Sequence, residues 1–147
     1  MDEWTFADDV LHNNTIIHGG FAAEIFSGAA ALTYGLRLMG VPTLYPWDIS
    51  YGEAFNVLTH GWMLLHLVSI GTISYLHFAL PCQSLTCARD PMLRSSTFLF
   101  GLPGLGDKNA EVVGVANSLL AWVIEMCQAL ITAGGYFSVE NPIGSVL

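Results

Sequence analysis

Residues Ile73 to Leu80 form a largely apolar run that stops at Pro81, with Cys82 immediately behind it. A run of that length and composition reads as a buried strand. Proline has no N–H to give to a ladder, so the strand ends there. Cys82 is therefore expected at the carboxyl end of a strand, on the first residues of a loop. In open α/β sheets ligands bind outside that edge. A thiol in this place is positioned to act as a nucleophile.

The rest of the chain supplies a matching alternation. Residues 1–19 read as a polar lead-in, and residues 20–147 as one domain. Phe21 to Phe26 is a first short strand, and Ala29 to Met39 a helix with Leu32, Leu36 and Met39 on one face. Thr43 to Trp47 is a second strand, closed by Asp48. Thr59 to Ser69 has helical spacing through Trp62, Leu65 and Ser69, with Leu64 and Val68 beside them. Residues 84–108 hold Pro91, Gly101, Pro103, Gly104 and Gly106 and read as a long irregular segment, a length that in compact domains accompanies function. Asn109 to Thr132 is the clearest helix, with Val112, Val115, Leu119, Val123, Met126 and Leu130 in an i, i+3, i+4 stripe. Tyr136 to Val139 is the last strand, closed by Glu140-Asn141-Pro142. Strands alternating with helices predict an α/β fold with a doubly wound, Rossmann-like parallel sheet.

Composition agrees. Of 147 residues, 53% are hydrophobic and only 11% charged, which favours strands buried on both faces. The net charge of −8 and a pI near 4.7 set the overall field against tight duplex nucleic-acid binding. Yet three of the four cations, Arg89, Arg94 and Lys108, follow Cys82 closely. Any locally positive surface is expected beside the thiol. Three cysteines without disulfide spacing indicate a reducing, intracellular compartment.

The strand ends carry the candidate chemistry. Ser27-Gly28-Ala29-Ala30 lets backbone amides approach a ligand at a helix N-terminus, or is simply a tight β–α turn. Asp48 can accept hydrogen bonds from ribose hydroxyls, or cap the next turn. Cys82 needs thiolate character, for which Arg89 is the nearest cation. Cys87 and Cys127 read as inert. A partly buried carboxyl at Glu140 can hold and hand over a proton, or serve as a cap. Cys82, Cys87 and His77 lack a second ligand pair for zinc, so no metal is expected. Trp62 to Leu80 is long enough to cross a bilayer, but its glycines, histidines and change of period at Gly71 argue against a membrane span.

These residues resemble a known set. Glu24-Ile25-Phe26-Ser27-Gly28 resembles the opening motif of the cytosine-C5 DNA methyltransferases, Pro81-Cys82-Gln83-Ser84-Leu85-Thr86 their Pro-Cys-Gln catalytic loop, and Val139-Glu140-Asn141-Pro142 their Glu-Asn-Val motif. The wording around Ala88-Arg89, Arg94-Ser95 and Gly101-Leu102-Pro103 also looks like a divergent group of such proteins from mobile-element and environmental sequences. The resemblance implies a methyltransferase-type sheet, incomplete at its C-terminus, because relatives continue with further strands, a Gln-Arg-Arg-type motif and a target-recognition region. Further domains of a longer polypeptide would follow from it.

The resemblance also implies a mechanism. S-adenosylmethionine would be held by Glu24, Phe26, Ser27, Gly28, Asp48 and Pro81. A cytosine of DNA would be flipped out and contacted by Gln83, Arg89, Arg94 and Asn141. Cys82 would add to carbon 6 of the ring, and Glu140 would protonate or hydrogen-bond the ring nitrogen. Departures accompany this pattern: Ala30 and Ala31 replace the usual later glycines, and Leu80 the usual proline before Pro81. The alternative is a catalytically silent binding or scaffold domain of the same fold.

Overall fold

The computed structural model describes residues 19–81, 84–86, 89–141 and 145. Strand β1 (Phe21–Ile25) is followed by helix α1 (Ala31–Leu38), helix α2 (Val57–Ser69), strand β2 (Ile73–Ala79), helix α3 (Asp107–Ala133) and strand β3 (Tyr136–Glu140). The three strands form one parallel sheet in the order β1-β2-β3. The fold class is thus α/β with a parallel, Rossmann-like sheet.

The expected second strand at 43–47 runs parallel to β1 on its other side, bridged at Thr43 to Ala22 and at Trp47 to Ile25. It is not a continuous strand. Pro42 and Pro46 flank and interrupt it, and neither can donate to a ladder. The chain therefore leaves β1 to one side, then crosses back to form β2 on the other. The strand order reverses at β1, which makes the carboxyl side of β1 and β2 the switch point of the sheet.

The core lies on one face. Ala23, Ile25, Leu76 and Phe78 point from the strands toward Leu64 and Val68 of α2 and Val123, Met126 and Leu130 of α3. The two helices meet at Gly61, where a Cβ would come within 2.5 Å of the Trp122 indole. Only glycine lets the indole lie against the α2 backbone. That contact turns α2 away from the expected face: Gly61, Leu64 and Val68 are buried, while Trp62 is 66% exposed. α1 covers the opposite face, and it too departs from expectation. Its buried residue is Thr33, and Met39 lies outside.

The candidate membrane span does not exist as one element. Trp62 to Leu80 divides into the end of α2, a turn at Ile70-Gly71, and β2, whose Leu76 and Phe78 are fully buried. Among the described residues one helix, α3, is long and apolar enough to cross a membrane by length and composition. Its Val123, Met126 and Leu130 pack on the sheet core instead.

Candidate functional site at the carboxyl rim of the sheet

The loop after β1 is bent by left-handed residues at Phe26 (φ 60°), Gly28 (φ 49°) and Ala30 (φ 55°). For the two non-glycines this conformation costs about 1–2 kcal/mol each, so the loop must be held from outside. The Trp47 carbonyl accepts from both Phe26 N (2.7 Å) and Ser27 N (3.2 Å). Asp48 accepts from Gly28 N through one oxygen and from Ser50 N through the other, each at 2.9 Å. Tyr51 Oη donates to the Gly28 carbonyl at 2.6 Å. Both open readings of Asp48 therefore resolve partly toward structure: it caps a 3-10 turn at Ile49–Tyr51 and pins the glycine loop. Each carboxylate oxygen has a second lone pair left for a ligand hydroxyl. Burial pushes the Asp48 carboxyl up, but the Ser50 hydroxyl and amide and the Gly28 amide together outweigh it and hold it below the usual carboxylate value.

Glu24 occupies an unexpected role. It is 5% exposed and accepts from Thr33 N (2.7 Å) and Thr33 Oγ1 (2.8 Å). Ala30 has no side chain to cap α1, so the β1 carboxylate does so from the neighbouring strand, at the positive end of the helix. The same strand end leaves one group unserved. Ser27 is 8% exposed, and its hydroxyl has no partner among the described residues; nor has Trp47 Nε1. Gly28 is exposed, and a Cβ there would meet nothing within 4 Å, so space is open directly above the loop. Phe26 turns its ring edge-on to Trp122 of α3, 6.4 Å between centroids.

On the other side of the switch point, β2 and β3 align Ala79 with Glu140. Pro81 is exposed two residues beyond, and Asn141 is exposed beside Glu140. Cys82 and Gln83, like Cys87 and Pro142, lie outside the described residues. The expectation of partial burial at Glu140 is corrected: its side chain is 70% exposed, and its Oε2 lies 3.8 Å from His77 Nε2. Glu140 ends β3 at the rim of the sheet, where no described residue buries it. His77 joins a polar array: its Nδ1 is 2.7 Å from Ser138 Oγ, which is 2.7 Å from Tyr75 Oη. Cys127 is half-buried in α3, and burial pushes its thiol up, in keeping with an inert role.

Three cations meet the N-terminal half of α3, while Cys82, beside which they were expected, lies outside the described residues. Arg89 Nη2 donates to Asn109 Oδ1 at 3.2 Å, Lys108 is in the first turn of α3, and Arg94 reaches the same helix at Val113 and Asn117. Arg94 is not available to substrate, however. It is 2% exposed, and its guanidinium donates to the Ser84 carbonyl (3.0 Å), Ser84 Oγ (3.1 Å), the Leu99 carbonyl, Asn117 Oδ1 (2.8 Å) and the Val113 carbonyl (3.4 Å). Burial pulls it below the ordinary guanidinium value, yet an arginine stays charged. Its role is to bind residues 84–99 onto α3. Between that segment and the helix lies a cavity of about 370 Å³, lined by Pro81, Ser84, Lys108, Glu111, Val112 and Leu119 among others.

Sequence reasoning placed Phe26, Ser27, Gly28, Asp48, Pro81, Glu140 and Asn141 at one rim, and the structure brings them there. It missed Thr33, Trp47 and Tyr51, which hold the loop. Their only signal was proximity to strand ends, since a backbone carbonyl or a tyrosine clamp leaves no motif. No protein-family model matches this chain, and neither a curated protein nor a solved structure resembles it.

Proposed function

We propose that this chain is a methyltransferase-type domain that transfers a methyl group to carbon 5 of cytosine in DNA. The observation that carries the reading is that the Ser27-Gly28 loop, Asp48, Pro81 and Glu140 all follow the carboxyl ends of neighbouring parallel strands, along the rim that holds the reversal point. The buried, unpartnered Ser27 hydroxyl and the open space above Gly28 fit a small polar cofactor. Ser27, Gly28 and Asp48 would hold S-adenosylmethionine, which supplies an electrophilic methyl group when bound.

This chain's own residues then do the following. The Cys82 thiolate adds to carbon 6 of the flipped ring, and the electron pair moves to carbon 5. Glu140 donates to the ring nitrogen as charge develops. Carbon 5 would take the methyl group as its bond to the sulfonium sulfur breaks; water would then remove the carbon-5 proton, the electron pair would expel the Cys82 thiolate from carbon 6, and the ring nitrogen would return its proton to Glu140. Arg89 and Lys108, at the N-terminal end of α3, would contact phosphate, with Asp107 and Glu111 of the same turns reducing the local positive charge.

Isothermal calorimetry with S-adenosylmethionine tests the cofactor step, and absence of heat at millimolar ligand removes it. Trapping on 5-fluorocytosine DNA tests the nucleophile. Cys82→Ala is expected to abolish the adduct; a variant that still traps excludes Cys82. A second reading, a silent domain of the same fold, is favoured by Asp48, whose two oxygens already accept backbone amides. It predicts neither heat nor adduct.

A further inference from the structure

Among the described residues the sheet has the 43–47 segment bridged beyond β1 and no strand beyond β3. β3 has β2 as its one strand neighbour among the described residues. Its Tyr136, Phe137 and Val139 are 74%, 40% and 43% exposed, although parallel strands are normally covered on both faces. Nothing in Tyr136–Glu140 guards the edge: it contains no proline, lysine or bulge, and its one charge is at the end. The register puts Phe137 beside Leu76 and Val139 beside Phe78, so both point to the side where α3 lies. α3 itself is apolar beyond its buried stripe. With 100° per residue, Trp122 flanks that stripe on the α2 side, and Ile124 and Ile131 flank it on the other. Those two isoleucines are 51% and 65% exposed. The unpaired strand and the bare helix flank thus belong to one continuous surface.

We propose that a second copy of this chain covers this surface, with β3 pairing antiparallel to its own counterpart about a twofold axis through Ser138. The sequence of β3 matches itself under that operation. Phe137 meets Val139 of the partner strand on the helix side. On the other side Tyr136 faces Glu140, a phenol donor opposite a carboxylate, and Ser138 faces Ser138. The helices fit as well. α3 packs over both β2 and β3, so it sits about one strand spacing from the axis, and the two α3 helices lie about two spacings, or roughly 10 Å, apart. That is the ordinary distance between packed helices. Ile124 and Ile131, one heptad apart, then line the helix–helix seam. The result is a continuous sheet across two protomers, an isologous interface closed by symmetry.

Sedimentation velocity of the full chain is expected to show a dimer at micromolar concentration. Ile124→Glu with Ile131→Glu places charges on a surface that is exposed in the protomer, so the fold is retained. The pair is expected to weaken dimerisation at least about 100-fold, by burying like charges against each other. Circular dichroism checks the fold. Ser138→Cys is expected to give an oxidised disulfide dimer, because position 138 faces itself across the axis, whereas the parent with its native cysteines does not. A monomer at about 100 μM overturns the proposal, as does a dimer indifferent to the glutamates and not cross-linked through position 138.

Discussion

Two buried ions flank the rim of the sheet, and the hydrogen bonds described for each go to uncharged groups. On the β1 side Glu24 accepts two hydrogen bonds from one residue, Thr33, and so fixes the start of α1. On the β2 side Arg94 donates to Ser84 and Leu99 of a segment that has no regular structure, and to Val113 and Asn117 of α3. The anion sits where a helix offers free amides and the positive end of its dipole. The cation sits where an irregular chain offers free carbonyls. Each ion is matched to the backbone groups that its surroundings leave unpaired. The Glu24 side is local and redundant, since Asp48, Trp47 and Tyr51 also hold that loop. The Arg94 side depends on one residue.

That contrast predicts unequal costs. Arg94→Leu strands several carbonyls at once and is expected to cost about 3 kcal/mol or more in urea unfolding, at 1–3 kcal/mol for each buried group left unpaired. Arg94→Lys recovers little, because one ammonium cannot span the same acceptors. A loss below that of Glu24→Ala would break the comparison. Glu24→Ala removes the cap of α1 and is expected to cost about 2 kcal/mol, with Glu24→Gln retaining an acceptor and losing about half as much.

Smaller effects sharpen the picture of the redundant side. The hydrogen bonds to Asp48 outweigh its burial, so its folded carboxyl ionises below the unfolded value. Its stabilisation is complete above the ordinary carboxylate range and fades as pH falls through the folded value. Asp48 is partly solvated, so after screening the contribution is less than about 1 kcal/mol. Asp48→Asn is expected to flatten the acid limb of stability against pH at and below the ordinary carboxylate range; an unchanged limb refutes it. Ser27→Ala is the smallest. Deleting a buried hydroxyl without a partner is expected to be neutral or to stabilise by up to about 1 kcal/mol, while lowering any heat of S-adenosylmethionine binding. A clear destabilisation would mean that the hydroxyl has a protein partner.

Much of the rim was legible in advance because strand ends write themselves into sequence. Apolar runs must stop, and they stop at Ser27-Gly28, Asp48, Pro81 and Glu140. The faces of the short helices were less legible. Trp62 and Met39 fit an apolar stripe, yet both lie outside. Gly61 allows Trp122 to approach and rotates α2, and Thr33 is drawn in by Glu24. Periodicity assigns a face only when the apolar stripe is the strongest contact, and here a glycine gap and a buried carboxylate were stronger. Arg94 was expected to contact the substrate because the family resemblance carries that role to its position. Its burial depends on the path of residues 84–106, which follows no period.

By itself the sequence determined the α/β class, the order of the elements and the edge at which polar residues collect, since these follow from local hydrophobic period and from where proline and glycine interrupt it. Only the tertiary structure decided that Glu24 and Arg94 turn inward, that strand order reverses at β1, and that β3 and one flank of α3 stay exposed among the described residues. Those outcomes depend on contacts between residues far apart in the chain, whose energies no local pattern encodes.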